Sequence, residues 1–198
     1  MKIISFLTFI VLSTLISLSF GQSQSPVLDT DQNPLVTGSS YYILPAISER
    51  GGGVKLSPTT YNQTCPLDVS QENNDQLNGS PLSFHPARGG GVIRSFVDLN
   101  IKFSDATTCG KPAVWRVENV NGQRVVSSRG IVGNPGLVTR SNWFKIMKYE
   151  NDYKIVFCPT VCYTCARGCG NIGHTIAKTG RISLVLSKEP LKVKFMKV

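Results

Sequence analysis

Residues 97–103 read VDLNIKF, and their alternation is the clearest statement of fold in the chain. Val97, Leu99, Ile101 and Phe103 fall on one side of an extended segment, and Asp98, Asn100 and Lys102 on the other. A period of two puts the first set in a core and the second in water. The same pattern recurs downstream. In WFKIMKYENDYKIVF (143–157), Phe144 and Ile146 alternate with lysines, END turns the chain, and Tyr153, Ile155 and Phe157 alternate on the return, as in a β-hairpin. RISLVLS (181–187) places Ile182, Leu184 and Leu186 on one face, and LKVKF (191–195) does so with Leu191, Val193 and Phe195. Shorter strands are expected around Tyr42–Leu44, Leu82–Phe84, Val92–Ile93, Val114–Val117 and Arg124–Val126. No segment keeps a helical period. Ten to twelve short strands without helices indicate an all-β barrel or sandwich, and periodicity does not choose between these.

Two glycine runs interrupt the pattern, RGGGVKLS from Arg50 and RGGGVIRS from Arg88. They read as two glycine-rich turns feeding two strands, in preference to an internal duplication. Neither is followed by Gly-Lys-Ser/Thr, so neither is a Walker-type phosphate loop. No linker-like tract divides the remainder, which reads as one domain.

At the N-terminus, Lys2 precedes the uncharged run IISFLTFIVLSTLISLSF, which ends at Phe20; small residues stand at Ser19 and Gly21. This predicts a secretory signal peptide over 1–21, cleaved after Gly21, with a domain over 22–198. Its six Ser/Thr residues and terminal position argue against a membrane anchor, although its length is close to that of a span. Loss of Lys2 takes the net charge from +9 to +8. The basic residues are scattered and alternate with apolar ones, as on the wet face of strands, so neither nucleic acid nor a membrane is expected as a partner. Asn62 and Asn78 each begin an Asn-x-Ser/Thr sequon in a polar, turn-rich segment, where a glycan would fit.

Export bears on the six cysteines. FCPTVCYTCARGCGNIG (157–173) spaces Cys158, Cys162, Cys165 and Cys169 as C-x3-C-x2-C-x3-C. Zinc folds separate their Cys pairs by a dozen or more residues, and a redox C-x-x-C sits at the start of a helix, which is absent here. An oxidising compartment favours disulfides instead. The symmetry suggests nesting, Cys158 with Cys169 outside Cys162 with Cys165, leaving Cys65 to pair with Cys109; spacing alone still leaves fifteen connectivities open. In the chain-entropy model these bridges contribute about 3, 2 and 4 kcal/mol respectively. His85 and His174 have no serine or cysteine nucleophile visible beside them, and no catalytic residue, metal ligand or cofactor motif stands out.

Taken in order, PVLDTDQNPLVTGSSYYILPAI (26–47), CPLDV, VDLNIKF, NWFKI, YKIVFCP and ISLVLSKEPLKVKF resemble the Kunitz-type soybean trypsin inhibitor family of plants, across 27–198. The four-cysteine cluster is similar to that of the miraculin-like branch, which has the nested pairing. The resemblance implies a β-trefoil of twelve strands, a six-stranded barrel capped by three hairpins with pseudo-threefold symmetry, stabilised by disulfides. It implies a monomer that is not an enzyme and that blocks a serine endopeptidase with one extended loop after the fourth strand. That loop corresponds to SFHPARGGGVI (83–93), with Pro86, Ala87 and Arg88 leading to the scissile position and Gly89 beyond it. Arg88 would pair with a carboxylate in a trypsin-like pocket, and Pro86 stiffens the approach. Arg94 is a second basic candidate, but it runs into the VDLNIKF strand. Two departures from the family stand out. Gly89, Gly90 and Gly91 raise the cost of ordering the loop, and Thr37 replaces the usual bracing Asn with a shorter donor. Gln32 also replaces a glycine usual in the signature. A papain-like cysteine protease engaged by another loop, or a binding or storage role, are the alternative readings.

Overall fold

The computed structural model describes residues 24–47, 51–59, 65, 67–107, 109–110 and 112–198. The expected signal peptide and Asn62 lie outside the described residues. Twelve strands follow one another: β1 (Tyr41–Pro45), β2 (Val54–Pro58), β3 (Leu67–Gln71), β4 (Leu82–Pro86), β5 (Leu99–Phe103), β6 (Arg116–Val120), β7 (Gln123–Ser127), β8 (Lys145–Tyr149), β9 (Asp152–Phe157), β10 (Gly170–Ile176), β11 (Ile182–Ser187) and β12 (Lys192–Lys197). The only helical element among the described residues is a 3-10 turn at Arg140–Asn142.

Pairing sorts the strands into two sets. β4–β5, β8–β9 and β12–β1 are antiparallel ladders of five registered pairs each. β1 meets β4 at Tyr41–Leu82, and β9 meets β12 at Lys154–Lys192 and Tyr153–Val193. β5 is joined to the residue just before β8 by one pair, Leu99 and Phe144, whose backbones exchange hydrogen bonds of 2.8 and 2.9 Å. That pair closes six strands into a barrel and removes its open edges. The other six form three hairpins, β2–β3, β6–β7 and β10–β11. The hairpins touch one another at Asp68–Ser127, Gln71–Ile182 and Val125–Val185, giving a triangular cap. Barrel strand, hairpin, barrel strand occurs three times, which is the β-trefoil.

The alternating apolar residues fill the barrel. Phe84 packs edge-on to Phe195, and Trp115 edge-on to Phe144, with ring centroids 5.5 and 5.6 Å apart. Asn121 and Gly122, both at positive φ, make the two-residue turn that right-handed strand twist favours between β6 and β7. Gln32 adopts φ 64°, glycine territory, in a turn held by the buried Asp29, whose Oδ1 accepts from the N–H groups of Asp31 and Asn33. All six cysteines are bridged in the nested scheme: Cys65–Cys109, Cys158–Cys169 and Cys162–Cys165.

Two expectations need correction. The "wet" edge of VDLNIKF is largely buried. Asn100 is inaccessible because its amide donates to Asn142 O and accepts from Gly133 N–H, both at 2.8 Å, which ties the β7–β8 connection to the barrel. Asp98 and Lys145 are buried because they meet each other. The two glycine runs are also unlike each other. Gly51–Gly53 lead into β2, packed so closely that a Cβ on Gly53 would lie 1.9 Å from Asn78 O. Gly89–Gly91 have nothing within 4 Å of such an atom, and they lead only to isolated bridges at Val92 and Arg94, not a strand. His85 and His174 lie in β4 and β10.

In the cap, burial raises the Asp68 carboxyl above its ordinary 3.8, and Arg129 and Arg181, at 3.8 and 3.9 Å, only partly offset this. A raised folded pKa contributes stability that is complete below pH 3.8 and lost as pH rises through the folded value. Asp68→Asn, which holds the neutral form, is therefore expected to raise the thermal unfolding midpoint at pH 7 and change it little at pH 3. A lower midpoint at pH 7 would show that attraction to the two arginines dominates.

Candidate inhibitory loop

β4 ends at Pro86, where the ring fixes φ and removes a backbone donor. The chain then leaves the barrel for twelve residues before β5 begins. Two backbone ties delimit the exposed part. Ala87 N–H donates to Asp98 O at 2.8 Å, pinning the loop to the start of β5. Four residues further on, Gly91 O accepts two bonds from Thr37, one from its N–H at 2.8 Å and one from its hydroxyl at 3.0 Å. Arg88, Gly89 and Gly90 lie between the ties and are exposed.

The N-terminal segment supports the far side. Pro26 bridges Arg94 and Val36 bridges Val92, with Val27 N–H donating to Ile93 O and Ile93 N–H to Leu35 O. Val27, Leu35 and Ile93 are wholly buried, so these ties rest on the core. Arg94 is exposed, but its guanidinium donates to Gln24 O at 3.0 Å. It is thus committed to the N-terminal segment, as its position before the strand suggests.

The loop is not extended throughout. Gly89 and Gly91 adopt φ of 71° and 86°. A substrate-like backbone requires Gly89 to rotate out of the left-handed region, which glycine does without steric cost but with a loss of freedom. His85, at the base of the loop, shares a 3.0 Å hydrogen bond with Ser83 Oγ; burial, with Lys102 nearby, holds its imidazole below the usual 6.5. It has the environment of a packed strand residue.

Ala87 and Arg88 help line a cleft of about 430 Å³, together with Pro135 and Val161. Its lining includes an ion pair that periodicity assigns to solvent, Asp98 and Lys145 at 2.9 Å. Thr160, from the cysteine-rich segment between β9 and β10, caps it by donating its N–H and hydroxyl to the Asp98 carboxylate, at 3.1 and 2.6 Å. No sequence signal brings these three together, because their partners lie tens of residues apart. Among the described residues, no group of three or more His, Cys, Asp or Glu could hold a metal, and no helix is long and apolar enough to cross a membrane. Asn78 is exposed in the turn before β4.

The legume Kunitz profile described as "Trypsin and protease inhibitor" matches residues 27–197. Miraculin of Synsepalum dulcificum is 42% identical over 87% of this chain and 83% of its own. Kunitz trypsin inhibitor 5 of Arabidopsis thaliana is likewise 42% identical, over 86% and 84%. Among solved structures, the Kunitz-type cysteine protease inhibitor of potato superposes with a TM-score of 0.77 at 33% identity, covering 89% of this chain and 98% of that one. The matched profile and these relatives are protease inhibitors, not enzymes. The chain belongs to the Kunitz-type family of trypsin and protease inhibitors.

Proposed function

We propose that the chain is a secreted inhibitor of trypsin-like serine endopeptidases that acts by substrate-like insertion of the loop around Arg88. The observation that carries this reading is the exposed arginine held between two backbone ties, Ala87 to Asp98 and Gly91 to Thr37. Pro86 and Ala87 would occupy the subsites before Arg88, and Gly89 the one after the scissile bond. The guanidinium fits a carboxylate at the base of a deep pocket, where a bidentate pair is strongest. Thr37 then serves as the brace, since it holds Gly91 while the bond between residues 88 and 89 sits in the cleft. A loop anchored at both ends loses less freedom on binding and, if cut, keeps its ends close for resealing.

Export through the signal peptide over 1–21 delivers the domain over 22–198 to the extracellular space or vacuole as a monomer, with Asn62 and Asn78 as glycan acceptors. The likeness to a potato inhibitor of cysteine proteases supports a second reading, in which another loop engages a papain-like enzyme. Titration of the purified protein against trypsin, chymotrypsin and papain separates the two. Stoichiometric loss of trypsin activity is expected, and loss of papain activity alone would replace the first reading with the second.

A further inference from the structure

We propose that Asp98 is the positioning residue of the Arg88 loop, and that the disulfide-bonded segment between β9 and β10 holds Asp98 in place through Thr160. The effect on inhibition rests on the function proposed above; the effect on the loop itself does not. Asp98 and Lys145 are each only 8% exposed and meet at 2.9 Å. A buried ion pair is weak evidence of net stability, because desolvation offsets the attraction; what it supplies is a defined geometry. Here the geometry reaches the loop directly, since the backbone carbonyl of Asp98 receives the N–H of Ala87, the residue before Arg88.

Two further features show that this corner is held deliberately tight. Phe96 adopts φ 64°, which is unfavourable for an aromatic residue. Its N–H donates to Ile146 O at 3.0 Å and its carbonyl accepts from Lys145 Nζ at 3.2 Å. Strain of this kind persists where the surroundings over-determine it, and it concentrates at functional positions. Thr160 meanwhile stands between Cys158, bridged to Cys169, and Cys162, bridged to Cys165. The Cys158–Cys169 bridge closes a ring that contains Thr160 and so restricts the backbone that presents it to the carboxylate, and the Thr160 hydroxyl also accepts from Lys145 Nζ at 2.9 Å. The nested cysteines therefore reach the inhibitory loop through four links: ring, Thr160, the Asp98 side chain, and the Asp98 carbonyl.

The test is amide hydrogen exchange of the full chain, read at Ala87. Thr160→Val keeps the shape and removes the hydroxyl donor. Loss of one charge-assisted bond is expected to speed Ala87 exchange about tenfold while Phe195 in β12 and the unfolding midpoint stay near their original values. Thr160→Ser should restore the original rate. A second variant, Asp98→Asn with Lys145→Met, removes both charges together so that neither is left buried alone, and should speed Ala87 exchange similarly. Trypsin inhibition should weaken about tenfold in step, with faster cleavage after Arg88. Unchanged Ala87 exchange in both variants overturns the proposal, as does a uniform acceleration of all amides with a lowered midpoint, which marks a purely structural tie. If the unaltered protein fails to inhibit trypsin, the proposed function falls, while the Ala87 measurement still decides this inference.

Discussion

Replacing Arg88 by Ala is expected to weaken trypsin inhibition by roughly a thousandfold or more, about 4 kcal/mol, while leaving the unfolding midpoint unchanged. The size follows from what the side chain does in each state. In the free protein Arg88 is exposed and has no side-chain hydrogen bond or ion pair among the described residues, so its truncation is expected to cost the fold little. In the complex it would be the one side chain enclosed by the enzyme's pocket, and truncation strands a buried carboxylate there. Arg88→Lys should retain much of the inhibition, losing the planar two-pronged pairing but keeping the charge. The inhibition constant and a thermal melt measured on one preparation check both halves. Unchanged inhibition by Arg88→Ala would remove this loop as the primary contact, whatever the fate of the remaining argument.

The second large effect falls on stability. Gly53→Ala is expected to destabilise by about 3 kcal/mol or more, because the new Cβ would sit 1.9 Å from Asn78 O, a backbone atom with little room to retreat. Gly52→Ala should behave alike, with its Cβ 2.2 Å from Asn74 O. Gly90→Ala, the corresponding middle residue of the second run, should do the reverse. It has free space around it and is not among the glycines at positive φ, so the substitution restricts the unfolded chain and the free loop together. A gain of about 0.5 kcal/mol in stability and a modestly tighter complex are expected. Urea unfolding of the three variants checks the contrast. Equal, small effects at Gly53 and Gly90 would mean that the packing around β2 relaxes freely.

That contrast also shows where local reading ends. Both runs are RGGGV in sequence, and nothing in five residues says that one is clamped under the 74–78 turn while the other is bare. The strands were easier. Where apolar residues alternate strictly, as at Leu99–Phe103 and Tyr153–Phe157, the pattern located the barrel, since period two is a property of the chain itself. β3 and β10 escaped because their buried positions do not alternate cleanly; Val69, Ser70 and Gln71 are buried in succession where β3 lies against other hairpins. The resemblance singled out the Arg88 loop and Thr37, but not the Asp98–Lys145–Thr160 support. An acidic residue opposite Leu99 on the pleat reads as solvated until its partners are known.

The sequence by itself determined the β character of the chain and which edges of its regular strands face inward, and with the family resemblance it indicated where the arginine-bearing loop falls and how its cysteines pair. These depend on residue type and short spacing, which a chain carries before it folds. Tertiary structure alone decided which polar residues are buried, which glycines are closely packed, and what ties the Arg88 loop at both ends. Those depend on contacts between segments far apart in sequence, formed only when the barrel closes through Leu99 and Phe144.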